Sequence, residues 1–341
     1  MVISKYSCPL VVVAGATGLQ GGSVIRHLIA SDKPYRIRAI TRDRTQKSAI
    51  DLLELGVQLF VGDIAVEGDI EVALMGAHYF FVRPHHWKLF SFLMFYIYLQ
   101  GVTPFYEGDN EKEIAEGKNL VRAAKTAGVK LFAWSGAVSP EEVSGGKYTG
   151  LVSIENKFTR IKATTAKFAK EVGLPTVVVA SGFYATNFII LKRMFVKQSD
   201  GSYTLIVPVP SSTTISIIDV EEDYGAYVRA GIESPAFGAG TFVRAASDEI
   251  SFDQIAASIS KASGKKVVAK QVSDEDFAAK FDSRGKRLTS MFHYFEDFGV
   301  FGGKDIGPSQ SSLAGSVRTF ADFAKGVKWE QVLIEAHPML G

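Results

Sequence analysis

The sequence predicts an α/β fold, a doubly wound parallel sheet followed by a smaller C-terminal α/β region. Three observations carry this expectation. β-Branched runs of strand length alternate with helical segments from Leu10 to Ala180, the pattern of a parallel sheet with crossover helices. The first run enters its helix through a glycine-rich turn. Beyond Ser181 the alternation loosens into shorter pieces.

Leu10–Ala14 (LVVVA) leaves no room for a helix before the glycines and reads as a buried parallel strand. Gly15-Ala-Thr-Gly18-Leu-Gln-Gly21-Gly22 follows at once. Ser23–Ala30 then reads as a helix with Val24, Ile25, Leu28 and Ile29 on one side. Strand, glycine turn, helix is the context of a dinucleotide-binding fingerprint. Gly15 takes the tight turn, and Gly18 lets the backbone approach a pyrophosphate. Gly21 or Gly22 lets the helix pack closely on the strand. The helix N-terminus offers N–H groups and a positive dipole to the phosphates.

The second strand, Arg36–Thr41, bears on which dinucleotide is bound. NAD sites place an acid near its end for the ribose 2′-OH. Here Arg42 stands there, with Arg44 and Lys47 after it. Arginine holds a 2′-phosphate bidentately, so NADP(H) is expected over NAD(H), with Arg42 and Lys47 on the phosphate side. Asp43 sits among these basic residues, and a solvated basic surface is the alternative. The third strand, Val57–Val61, runs into Gly62-Asp63-Ile64. The Asp63 carboxylate either reaches the adenine amino group or closes a loop turn.

The fourth strand, Tyr79–Val82, is followed by the segment Arg83–Gly101, whose core, Leu89–Leu99 (LFSFLMFYIYL), is almost wholly apolar. It is too short for a membrane span of about 20 residues, and it lacks the polar face of a surface element. We read residues 83–101 as an insertion translated from a retained short intron. The alternatives are a membrane-dipping or partner-binding hairpin and a buried extension. His85 and His86 are adjacent, so in a strand they point to opposite faces, which chelates poorly. No metal site is expected.

Ile114–Ala127 reads as a helix closed by Gly128, Lys130–Ser135 as a strand, and Pro140–Thr149 as a mobile loop near the site. Asn156–Val172 is a helix and Thr176–Ala180 a strand. Beyond lie expected strands at Ser202–Val207, Thr213–Ile218, Thr241–Ala245 and Val267–Val272. Helices are expected at Asp219–Ile232, at Phe252–Ala262 (closed by Gly264), at Asp274–Phe281 and at Phe320–His337. Phe292–Gly303 reads as a lid, a partner surface or plain core. Tyr224, Tyr227, His293 and Tyr294 read as core or surface aromatics.

The 341 residues are 47% hydrophobic and 22% charged, which excludes wholesale disorder. With 38 Lys+Arg against 36 Asp+Glu, the net charge of +2 gives no electrostatic footprint for direct nucleic-acid binding. Cys8 is the only cysteine, so no intramolecular disulfide or cysteine zinc site is expected. That fits a reducing compartment. Met1–Pro9 lacks the pattern of a secretory signal. The expected location is cytoplasmic, with nuclear as an addition. No transmembrane span is expected, and the oligomeric state is left open.

The chain resembles the NmrA-like family of atypical short-chain dehydrogenase/reductases. GATGLQGGSVIRHL at Gly15–Leu28, AITR at Ala39–Arg42 and GD at Gly62–Asp63 carry the likeness first. GKNLVRAAKTAGVKLFAWSG at Gly117–Gly136, EVGLP at Glu171–Pro175 and SGFYATNF at Ser181–Phe188 continue it. It covers Leu10 to Phe195 well and the rest more loosely. It implies a Rossmann fold, an NAD(P)-binding domain over residues 1–180, and a smaller substrate or partner region over 181–341. Some members are redox-responsive regulators that bind a dinucleotide and a partner protein, as in nitrogen-metabolite repression. That makes a transcription factor or other regulatory protein the expected partner.

Carried over, the resemblance implies that Gly15, Thr17, Gly18, Leu19, Gln20 and Gly21 form the pyrophosphate loop. Arg42 meets the 2′-phosphate, and Asp63 with Ile64 flanks the adenine. Joining Val82 to Thr103 restores the family's passage after the fourth strand and places Thr103 among the cofactor-binding residues. Lys162, thirteen residues before Pro175, matches the family's site lysine. Tyr184 and Asn187 line the nicotinamide end. A family lysine before the GKNL-like helix is replaced by Ala115.

Reductases of this superfamily pair a Tyr with a Lys four residues later, and the phenol passes a proton to or from the substrate. Here Phe158 precedes Lys162 at that spacing, and its ring has no ionisable proton. Ser135 remains as a hydrogen-bond donor to a carbonyl oxygen, and Tyr148 is a weak substitute acid. Lys162 either acts as the acid or base itself or only binds the nicotinamide ribose. The expected function is therefore an NADP(H)-binding regulator or redox sensor without efficient hydride transfer. The alternative is an NADPH-dependent reductase of a small carbonyl or quinone that uses Lys162.

Overall fold

The computed structural model describes residues 8–83, 110–148, 154–281 and 284–333. Thr103, His85, His86 and the inserted run Leu89–Leu99 lie outside the described residues. The first half contains the strands β1 (Leu10–Ala14), β2 (Arg36–Thr41), β3 (Gln58–Val61), β4 (Tyr79–Val82), β5 (Leu131–Gly136) and β6 (Thr176–Ser181). Its main helices are α1 (Leu19–Ile29), α2 (Lys47–Glu54), α3 (Glu67–Ala73), α4 (Asn110–Thr126) and α5 (Ile154–Glu171). The second half adds β7 (Phe183–Tyr184), β8 (Phe195–Lys197), β9 (Tyr203–Val207), β10 (Thr214–Ile218), β11 (Phe242–Ala245), β12 (Asp248–Ser251) and β13 (Val267–Gln271). Its longer helices are α6 (Val220–Glu233), α7 (Phe252–Ser263) and α8 (Gly285–Phe298).

The main sheet has seven strands in the order β11-β6-β5-β4-β1-β2-β3, all parallel. This is the doubly wound Rossmann order extended by one strand. Central strand β1 shows why. Val11 and Val13 pack into the core on one face, and Leu10, Val12 and Ala14 into the core on the other. A strand buried on both faces can be apolar throughout. The seventh strand, β11, comes from beyond Ser181 and pairs with β6. Two three-stranded sheets, β12-β10-β7 and β13-β9-β8, build the smaller C-terminal region around a separate core. Among the described residues, no helix is long and apolar enough to cross a membrane.

Three segments differ from the sequence reading. Helix α1 begins at Leu19, so Gly21 and Gly22 lie in its first turn instead of in the preceding loop. The Pro140–Thr149 loop opens with a short helix, Pro140–Val143, whose first turn is capped by Ser139. Its Tyr148 is buried and donates to Asp297 at 2.6 Å. The single helix expected over Phe320–His337 is two, Phe320–Lys325 and Trp329–Leu333. The break falls at Gly326, and buried Trp329 packs its ring 6.1 Å from that of Phe195. Phe292 is fully buried among Phe183, Phe252 and Phe277, so that part of Phe292–Gly303 is plain core.

Helix α6 packs closely on α1. The Gly225 N–H donates to Ser23 Oγ at 2.9 Å. A Cβ on Gly225 would stand 2.1 Å from the Ser23 carbonyl oxygen. Backbone cannot yield as a flexible side chain does, so Gly225→Ala must push the two helices apart. Overpacking of this kind costs about 1–3 kcal/mol. The expected result is a lower urea midpoint with an unchanged m-value. An unchanged midpoint would contradict this contact.

Candidate functional site

The strand order reverses between β1 and β4. In open α/β sheets the ligand crevice lies outside the carboxyl ends of the strands at that point. β1 ends at Ala14, and Gly15 follows with φ +71°, a conformation that favours glycine. The Gly18 N–H donates to Gly15 O at 3.0 Å and closes the turn. Gly18 is the N-cap of α1, which has no side-chain cap and no acid in its first turn. The first-turn N–H groups therefore face the crevice without a carboxylate competing for them.

Gly21 explains the tightness of this loop. A Cβ there would stand 2.2 Å from Gly15 O and 2.8 Å from Ala16 Cα. At Gly22 the nearest approach is 3.5 Å, to the end of the Arg26 side chain. Gly21, not Gly22, is thus the close-packing glycine. The absence of side chains at Gly15 and Gly18 leaves the backbone of the turn bare at the crevice, which fits a dinucleotide's pyrophosphate. Thr17 and Leu19 lie on the exposed side of the turn.

A buried polar chain runs inward from the loop. Ser135 Oγ donates to Gln20 Oε1 at 2.8 Å. Gln20 Nε2 donates to Tyr184 OH at 2.8 Å. Lys162 Nζ donates to Ser135 Oγ at 3.4 Å. Each polar group comes from a different element: Gln20 from α1, Ser135 from β5, Lys162 from α5 and Tyr184 from β7. Gln20 and Ser135 are each 1% exposed and Lys162 is 5% exposed. Burial, with the Arg83 charge in addition, pushes the Lys162 ammonium down to about 7. The structure therefore brings together four of the residues singled out in the sequence. The Ser135 hydroxyl proton is already committed to Gln20, so Ser135 donates to a substrate oxygen only if that bond breaks.

The remaining candidates are more dispersed. Arg42 is exposed at the end of β2. The neighbouring Asp43 carboxylate is engaged by the Thr45 N–H at 2.8 Å and its hydroxyl at 2.6 Å. These bonds hold Asp43 below the usual carboxylate range. Lys47 is turned onto Asp51 at 2.9 Å, an exposed pair one helical turn apart. Asp63 Oδ1 accepts from the Ala65 N–H at 3.0 Å, which closes its own loop turn. Ile64 packs at the edge of the core beneath. Asn187 opens the short helix Asn187–Ile190, and Tyr184 lies just before it. The Tyr148 phenol donates to Asp297, and burial together with that bond pushes it up, which makes it a poor acid.

Tyr224, expected to be a core or surface aromatic, is core: it is fully buried and donates to Val179 O at 2.9 Å. It lies within the electrostatic reach of Tyr184 and Arg83. No local pattern marks that bond, because helix α6 delivers Tyr224 from another part of the chain. Sequence reasoning misses Arg83, which it places in the insertion but which follows β4 directly and lies against the glycine loop. Its position after the switch-point strand was the available signal.

Comparison with known proteins shows the family and the fold. A model of the NmrA-like family matches residues 8–324. The NmrA-like family domain-containing oxidoreductase ptmS of Penicillium ochrochloron is 26% identical over 302 residues, covering 84% of each chain. The similarly named oxidoreductase cpsB of Aspergillus campestris is 29% identical over 280 residues, covering 78% of this chain and 76% of its own. Among solved structures, the negative transcriptional regulator NmrA in complex with NADP superposes with a TM-score of 0.69 at 20% identity, covering 94% of this chain and 95% of that one. A complex of NmrA with NAD gives 0.71 at 21% identity, covering 94% and 95%. The NADPH-dependent quinone oxidoreductase QOR2 of Escherichia coli, with NADPH, gives 0.68 at 20% identity, covering 92% and 98%. At these identities the structural likeness is one of fold.

Proposed function

The chain belongs to the NmrA-like family, and from that premise we propose that it is an NADP(H)-binding regulator or redox sensor without efficient hydride transfer. One observation carries the reading. The buried chain Lys162–Ser135–Gln20–Tyr184 ties the glycine loop to the edge of the smaller region, while the usual acid position holds Phe158. Such a site is built to register an occupant more than to deliver a proton. Gly15, Gly18 and Gly21 would cradle the pyrophosphate, and Arg42 the 2′-phosphate. Gln20 and Tyr184 would carry the state of the loop to β7 and the sheet beyond it. The dinucleotide would supply hydride chemistry when bound; this chain's residues bind and orient it. A regulatory protein, such as a transcription factor, would then read the smaller region's conformation. Its place of action would be the cytoplasm, and the nucleus with a nuclear partner.

A second reading has its own support. A lysine held at about 7 is poised to exchange a proton at neutral pH, and several named relatives are oxidoreductases. In that reading Lys162 itself is the acid or base for a small carbonyl or quinone.

Calorimetric titration tests the first reading. NADP⁺ is expected to bind clearly tighter than NAD⁺. Arg42→Glu should weaken NADP⁺ roughly 10- to 100-fold, the weight of a lost charge-assisted pair, and leave NAD⁺ nearly unchanged. Equal affinity for the two nucleotides in the parent would remove the role given to Arg42. Steady NADPH consumption with a carbonyl or quinone would favour the enzyme.

A further inference from the structure

Arg83 carries an inference that rests on the dinucleotide reading and extends it. Its Cβ and carbonyl oxygen each lie 3.6 Å from the position a Gly15 Cβ would take. Its Nη1 lies 3.1 Å from the position of a Gly18 Cβ. The side chain therefore runs along the glycine loop from the end of β4 to the start of α1. Among the described residues, none accepts a hydrogen bond from its guanidinium.

The arrangement is electrostatically incomplete. Arg83 is only partly exposed, and a cation beside a helix N-terminus has the wrong sign for the dipole. Its charge also acts on buried Lys162, where it disfavours a second cation. One anion on the loop would relieve all three costs: it would pair the guanidinium, match the dipole and screen the lysine. A long arginine side chain can lift off Gly18 to admit that anion and close over it with two parallel N–H donors.

We infer that Arg83 is a pyrophosphate clamp, a dinucleotide-positioning residue that closes the glycine loop from the side of β4. The pyrophosphate is common to NAD and NADP. Arg83 therefore sets affinity for both, whereas Arg42 acts on the 2′-phosphate alone. The two arginines have separable signatures.

The test compares the full-length parent with Arg83→Ala and Arg83→Lys by calorimetry. The probes are NADP⁺, NAD⁺ and adenosine 2′-monophosphate, which keeps the adenine and 2′-phosphate but lacks the pyrophosphate. Arg83→Ala should weaken NADP⁺ and NAD⁺ by a similar factor, roughly 10- to 100-fold. Adenosine 2′-monophosphate should bind the variant as it binds the parent, which also shows that the site is folded. Arg83→Lys keeps the charge without the fork and should fall between. Unchanged or tighter NADP⁺ binding by Arg83→Ala would overturn the clamp, the tighter case making Arg83 a plug. An equal loss for adenosine 2′-monophosphate would overturn it too. If the parent binds neither nucleotide, the dinucleotide reading itself fails and the clamp with it.

Discussion

Gly21→Ala is expected to abolish measurable dinucleotide binding and to lower stability, whereas Gly22→Ala next to it should do neither. The added methyl at Gly21 would stand 2.2 Å from Gly15 O and 2.7 Å from Gly15 C. Both are backbone atoms of the turn that shapes the phosphate site. The helix cannot rotate away cheaply, because α6 holds its other side through Gly225 and Ser23. The loop must therefore move, and Gln20 moves with it. That breaks the bonds to Ser135 and Tyr184 together. Overpacking costs about 1–3 kcal/mol of stability. A shift of an ångström or so in the donor geometry costs binding a further factor of roughly a hundred or more. At Gly22 the methyl meets the end of the Arg26 side chain at 3.5 Å and Ala16 O at 3.8 Å, both ordinary van der Waals contacts. Alanine is the better helix former by about 1 kcal/mol, so Gly22→Ala should match or exceed the parent in a urea melt and bind NADP⁺ normally. If both alanines bind equally well, the close contact between α1 and the turn is wrong.

That pair also shows how far the sequence could be read. The period of apolar residues in Leu10–Ala14 and the glycines after it locate the first strand and the loop without a structure, because both depend on neighbours in the chain. The start of α1 does not. Two adjacent glycines look like the end of a turn by propensity. Both lie in the helix, where Gly21 passes the Gly15 carbonyl at a distance that admits no Cβ, an approach set by how α1 packs on the turn and not by propensity. The same division holds at the site. Gln20, Ser135, Lys162 and Tyr184 were each identifiable from local motifs and resemblance. The direction of their hydrogen bonds was not, since it depends on strands and helices meeting across more than a hundred residues. Arg83 lay at the edge of an apolar run that dominated the reading of its neighbourhood. The bond from Tyr224 to Val179 O had no local signal at all, since it follows from α6 returning to the main sheet.

Lys162→Met should make the protein more stable at neutral and acid pH while removing whatever the lysine does for function. In the unfolded chain the ammonium keeps its ordinary value of 10.5, and in the folded protein it is pushed down to about 7, chiefly by burial and then by the Arg83 charge. Between these values the unfolded chain holds a proton that the folded protein has released. Stability therefore rises with pH across that window. At about 1.36 kcal/mol per unit the full span corresponds to about 5 kcal/mol. Below pH 7 both states are protonated and folding bears the whole cost of a buried cation. Above pH 10 the cost is gone. Methionine fills much the same volume and has no charge to desolvate. Urea melts at pH 6, 8 and 10 should show the variant several kcal/mol ahead of the parent at pH 6, with the gap narrowing steadily towards pH 10. Other titrating groups are common to both proteins and cancel in the difference. A gap independent of pH would mean that Lys162 keeps its ordinary proton affinity and that its burial is compensated. A stabilised variant that has lost NADP⁺ binding or turnover would show the lysine to be retained for the site at the expense of the fold.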